Sequence, residues 1–239
     1  TNLVHQVIVK TVNSNDEISN LPLYYPCALA IAEKERILFI SECNPYSNTT
    51  YRMFAVNLQT EHVNQTFYVQ NQPIDMVYDN ANQVLIVALL GRRDLLVLNL
   101  KTKTQNMMVV SVLKQPFALA IKQGLHYALN ESNYEEPLLY VADSKSNNIF
   151  QISYSPISND PSTILSNSVL HVAGNGMKGS TQEGKSSLTY SFAQFTKMVY
   201  CSSSNALLVV DKHLGVIIKI DNLPIVSISN PTLSVIAGI

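Results

Sequence analysis

The chain is short of charge. Charged residues make up 14% of its 239 positions, against roughly 25% in an ordinary soluble domain. Sixteen Lys and Arg against 17 Asp and Glu leave a net charge of −1, which excludes a nucleic-acid module working through a broad cationic face. No apolar run reaches the ~18 residues that cross a bilayer as a helix, so membrane insertion is not expected. There is no Gly-x-Ser-x-Gly elbow and no phosphate-cradling Gly-x-x-x-x-Gly-Lys loop. The five histidines, His5, His62, His126, His171 and His213, show no metal-ligand spacing. Small polar residues stand where charge is missing: 23 Asn and 24 Ser, beside 46% hydrophobic residues.

The apolar segments are short and rich in Val, Ile, Leu and Tyr, as in Ile37-Leu-Phe-Ile40, Val84-Leu-Ile-Val-Ala88, Leu138-Leu-Tyr-Val141 and Val216-Ile-Ile-Lys-Ile220. Asn, Asp, Gly, Ser or Pro bounds each of them, which predicts strands rather than helices and an all-β chain. Pro26-Cys-Ala-Leu-Ala30, Pro73-Ile-Asp-Met-Val77 and Pro116-Phe-Ala-Leu-Ala120 open three units, and Phe195-Thr-Lys-Met-Val199 opens a fourth without its proline. Three more strands follow each opening. Units of four strands every ~40–50 residues have the period of propeller blades. The expected blades are 26–70, 73–113, 116–174 and 195–239, with insertions near 122–137 and 174–194. Residues 1–13 read as one extra outer strand. Five outer strands for four inner triplets, in a sequence opening on Thr1, make residues 1–239 a single propeller region. They predict that it is an arc of a larger, six-bladed ring. The alternative is a self-contained four-bladed ring with a spare edge strand.

Val172-Ala-Gly-Asn-Gly-Met-Lys-Gly179, Glu183-Gly184, Phe192, Leu208-Val-Val-Asp211 and Val216-Ile-Ile-Lys-Ile220 together resemble an NHL repeat. Tyr140-Val-Ala-Asp143 followed by Asn147-Asn-Ile149 echoes it in the third unit, and the first two units match in strand pattern. Phe195 stands where the family has proline. The resemblance implies a β-propeller of NHL type. It also brings three functional expectations: an interaction scaffold, a propeller enzyme of the amidating-lyase or lactonase type with an axial metal ion, or an RNA-binding domain.

Asp143 and Asp211 end second strands, where a carboxylate accepts hydrogen bonds from following backbone N–H groups and fixes the turn. Gly174 and Gly176 supply positive-φ turns on the way to the next blade. They sit in Gly174-Asn-Gly-Met-Lys-Gly179, which leads to no helix and so lacks the context of a dinucleotide fingerprint. Asp75, Asp143, Asp211 and Glu42 are the carboxylates that could line an axial metal. Arg92 and Arg93 form the only clustered basic pair, in a hairpin turn.

Pairing the first two strands around a turn near 32–36 sets Ala30 against Phe39 and brings Cys27 opposite Glu42 or Cys43. A one-residue bulge decides whether Cys27 and Cys43 bridge. The cytosolic alternative is three reduced thiols. Cys201 is left over, buried and inert or paired elsewhere. Three glycosylation sequons begin at Asn48, Asn64 and Asn130, while composition alone gives ~3.6 matches, so only their placement on a loop tip, an outer edge strand and an insertion is informative. The acidic insertion with Glu131, Tyr134, Glu135 and Glu136 is the candidate partner surface. The function expected is a non-catalytic, cofactor-free NHL-like scaffold of a secreted or cell-surface glycoprotein, with a protein partner or self-assembly and no nucleic acid.

Overall fold

The computed structural model describes residues 10–12, 18–20, 23–43, 50–124, 137–154, 169–179, 186–224 and 231–238. The described residues are all-β, with four four-stranded antiparallel sheets following one another along the chain. They are blades of a β-propeller. The first blade holds β3 (Pro26–Ala32), β4 (Ile37–Glu42), β5 (Tyr51–Asn57) and β6 (Val63–Val69). The second holds β7 (Pro73–Asp79), β8 (Val84–Leu89), β9 (Leu95–Asn99) and β10 (Thr104–Met108). The third holds β11 (Pro116–Lys122), β12 (Leu138–Asp143), β13 (Asn148–Ser153) and β14 (Val169–Ala173), and the fourth β15 (Phe195–Cys201), β16 (Ala206–Asp211), β17 (Val216–Asp221) and β18 (Thr232–Gly238).

Five of the hairpins within the blades share one local design. Asn57, Asp79, Asn99, Asp143 and Asp211 each end a strand and accept, on one side-chain oxygen, the backbone N–H groups two and three residues on. Four residues after each, the chain takes a positive φ: Glu61 (61°), Gln83 (57°), Lys103 (56°), Asn147 (52°) and Gly215 (66°). The Asx acceptor replaces water for two turn donors, and the left-handed residue feeds the chain back into the ladder.

The chain forms two compact units, residues 1–74 and 75–239. In the first, Ile40, Phe54 and Val56 make a small core with Leu23, Leu38 and Val63 against it. Lys10–Val12, within the segment expected as an outer strand of a preceding or closing blade, pairs antiparallel with Ile18–Asn20 as a two-stranded hairpin, β1–β2. Residues 1–9 lie outside the described residues.

In the second unit the third and fourth blades share one core: Ala118, Tyr140, Ile149 and Val172 of one are packed with Phe195, Leu207, Val209 and Ile218 of the other. The segment joining them adds Tyr190 and Phe192, whose rings meet edge-on at 4.9 Å, with Phe195 4.7 Å beyond. Polar ties join the second and third blades. Tyr154 donates its hydroxyl to Asp79 at 2.7 Å, and the Gln123 amide accepts from the Asn80 N–H and donates to the Tyr78 carbonyl. The outer strand of the second blade stops at Met108, short of the expected Leu113. The chain turns there, with Leu113 N–H bonded to the Val110 carbonyl, and Val109 is left exposed.

Candidate functional site

The second strand of every blade has six residues and ends on Glu42, Leu89, Asp143 or Asp211. Beside three of these ends the first strand carries a bulge, between Pro26 and Ala28, Pro116 and Ala118, and Phe195 and Lys197. The chain entering that strand is held by the carboxylate. Asp143 accepts the N–H groups of Lys114 (2.6 Å) and Gln115 (2.7 Å). Asp211 accepts those of Ala193 (2.7 Å) and Gln194 (3.0 Å). Both residues are fully buried, and the oxygens face the chain's own donors. Glu42, one methylene longer, accepts the Tyr24 N–H at 2.6 Å and pairs with the Arg52 guanidinium at 2.7 Å. The guanidinium also lies 5.2 Å from the centre of the Phe54 ring. The Leu89 position has no carboxylate. There the turn is closed at the surface by Arg92, bidentate to Asp94 at 2.8 and 2.7 Å.

Asp75 behaves differently. It lies on β7, accepts the Leu119 N–H of β11 at 2.9 Å and pairs with Lys197 of β15 at 2.5 Å. The first strands of three successive blades therefore converge on one buried carboxylate. Burial raises the Asp75 pKa above its ordinary value, and Lys197 together with the Leu119 and Met76 N–H groups works against that rise. Among the described residues no three His, Cys, Asp or Glu side chains come together to hold a metal ion. The carboxylates expected as axial ligands are engaged separately, Asp75 by a lysine, Asp143 and Asp211 by backbone donors and Glu42 by an arginine. Of the clustered pair Arg92 and Arg93, Arg92 is paired with Asp94.

A disulfide joins Cys27 to Cys43, with 5.8 Å between their Cα atoms. Pro26 pairs with Glu42 and Ala28 with Ser41, so Cys27 is the bulged residue between them, and the bulge settles the choice between Glu42 and Cys43. Cys201, expected to be buried and inert or paired elsewhere, is a partly exposed free thiol at the end of β15. Hydrogen bonds from Ser203 and Ser204 lower its thiol pKa to about 7. Gly174 (φ 100°) donates its N–H to Ser187 at 2.9 Å, and a Cβ there would collide with the Asn147 carbonyl and the Asn148 side chain. Gly176 has φ 80° in the same loop. Asn64 is exposed on β6. Asn48, Asn130, Glu131, Tyr134, Glu135 and Glu136 lie outside the described residues.

No family model matches the chain, and no curated protein does. Solved structures do. A protein of unknown function from Bacteroides thetaiotaomicron matches with a TM-score of 0.53 at 12% identity, over 90% of this chain and 47% of that one. A chain of a nidogen/laminin complex gives a TM-score of 0.53 at 13% identity, over 92% of this chain and 72% of that one. An auxiliary nutrient binding protein from Bacteroides thetaiotaomicron gives 0.52 at 13% identity, over 82% of this chain and 48% of that one. The likeness is one of fold. The chain spans about half the length of the two Bacteroides proteins.

Proposed function

We propose that this chain is an NHL-like β-propeller segment that serves a secreted or cell-surface glycoprotein as a non-catalytic binding scaffold for a protein partner. The observation that carries the reading is the use made of the buried carboxylates. Asp143 and Asp211 present their oxygens to the backbone of their own blades, which is a scaffold rule repeated rather than a site assembled once. The Cys27–Cys43 disulfide supports an oxidising compartment. The similar folds of an auxiliary nutrient binding protein and of a chain in a nidogen/laminin complex support binding as the task. The insertion with Glu131, Tyr134, Glu135 and Glu136 is the proposed partner surface, since long loops on rigid scaffolds carry recognition.

Elemental analysis of the protein purified from a secretory host tests this reading against a metal-dependent enzyme. The expected result is substoichiometric zinc and calcium. One equivalent of either metal, lost on Asp143→Asn or Asp211→Asn substitution in a folded protein, would overturn it.

A further inference from the structure

From the β6 geometry we infer that Asn64 is an N-glycosylation site, carrying an oligosaccharide on its side-chain amide. The sequon is Asn64-Gln65-Thr66. It lies on β6, the last strand of the first sheet, whose order runs β3-β4-β5-β6. Gln65 pairs with Ala55 and Val63 pairs with Val56, so Asn64 is the extra residue of a bulge, with no partner across the ladder. A bulge interrupts the pairing and re-aims the side chain it carries. Asn64 is exposed. Phe54, Val56 and Val63 of β5 and β6 pack into a small core of the first unit, and Asn64 is not among them. The same blade holds the Cys27–Cys43 disulfide, so one blade carries two features that the secretory pathway creates.

The modification is a glycosyl transfer from a polyisoprenyl-diphosphate-linked oligosaccharide. The Asn64 Nδ2 forms a bond to the anomeric carbon while the bond from that carbon to the diphosphate oxygen breaks. The lipid diphosphate leaves with the bonding pair, and the amide loses one proton.

This inference rests on the secretory part of the proposed function, and the experiment separates the two. The full chain is secreted from cultured animal cells and treated with a peptide amidase that removes N-glycans in heavy-oxygen water. The peptide spanning Asn64 is then read by mass spectrometry. Conversion of Asn64 to heavy-oxygen-labelled Asp is expected. Thr66→Ala should abolish the conversion, and the Asn48→Gln/Asn130→Gln double variant should keep it. Recovery of the Asn64 peptide as unmodified Asn from secreted, oxidised protein overturns the site. Free thiols at Cys27 and Cys43 in that sample would overturn the extracellular reading instead, while the Asn64 peptide still reports on the site.

Discussion

The second blade and the two that follow it solve the same turn in two ways. In the third and fourth, a buried aspartate at the end of the second strand closes the hairpin and also reaches the chain entering the first strand. In the second, Leu89 stands at that position, and an exposed Arg92–Asp94 pair closes the turn from outside. The second-blade turn has five residues (90–94) against four in the other two (144–147 and 212–215), so a longer turn closes there without the aspartate. The aspartate couples the turn to the entry segment, and burial makes that coupling strong. A lost acceptor leaves buried N–H groups unpaired, whereas an exposed pair is replaced by water.

The largest effect should therefore come from Asp143→Ala or Asp211→Ala. Each strips the acceptor from four backbone N–H groups and should cost about 3–5 kcal/mol in urea unfolding. Asparagine at either position should recover part of the loss. A cost below about 1 kcal/mol for both alanine variants would mean that the entry segment is held by something else.

Lys197→Met should have an intermediate effect. The lysine is half exposed, so solvent screening limits the expected cost to about 1 kcal/mol at neutral pH. Asp75 already holds its proton more tightly in the folded than in the unfolded chain, because its pKa is raised from 3.8. Its charge therefore destabilises the fold at neutral pH, and the penalty fades as pH falls toward the ordinary value. Removing Lys197 raises the Asp75 pKa further. The variant should fall below the parent at neutral pH and converge on it in acid, as followed by unfolding at a series of pH values. A gap that stays constant with pH would show that Lys197 acts through packing alone.

Arg92→Ala should have the smallest effect, below about 0.5 kcal/mol and diminishing with added salt, as for other exposed ion pairs. A loss as large as that of Asp143→Ala would erase the distinction between the two kinds of turn.

The blades are legible in the sequence because each strand is a short apolar run with its own punctuation, and because Pro26, Pro73 and Pro116 mark three openings. The Asx hairpins are only partly legible. Asp143 and Asp211 stand out beside Asn147 and Gly215, which take a positive φ readily. Asn57, Asp79 and Asn99 follow the same four-residue rule, but Glu61, Gln83 and Lys103 conceal it, being residues that seldom adopt that conformation. The Asp75–Lys197 pair is illegible, because the partners are 122 residues apart and meet only through the packing of three blades. The disulfide is legible as two alternatives, and only the bulge at Cys27 chooses between them.

Two of the five Asx hairpins are built on asparagine, and in both, Asn57 and Asn99, the bonds to the turn are made by the amide oxygen. Conversion of that amide to a carboxylate, a common chemical ageing of asparagine, leaves the accepting oxygen in place. Asn57→Asp or Asn99→Asp would alter the protein's charge and keep the accepting oxygen at the turn, so parent and variant would part on an ion-exchange column while unfolding together.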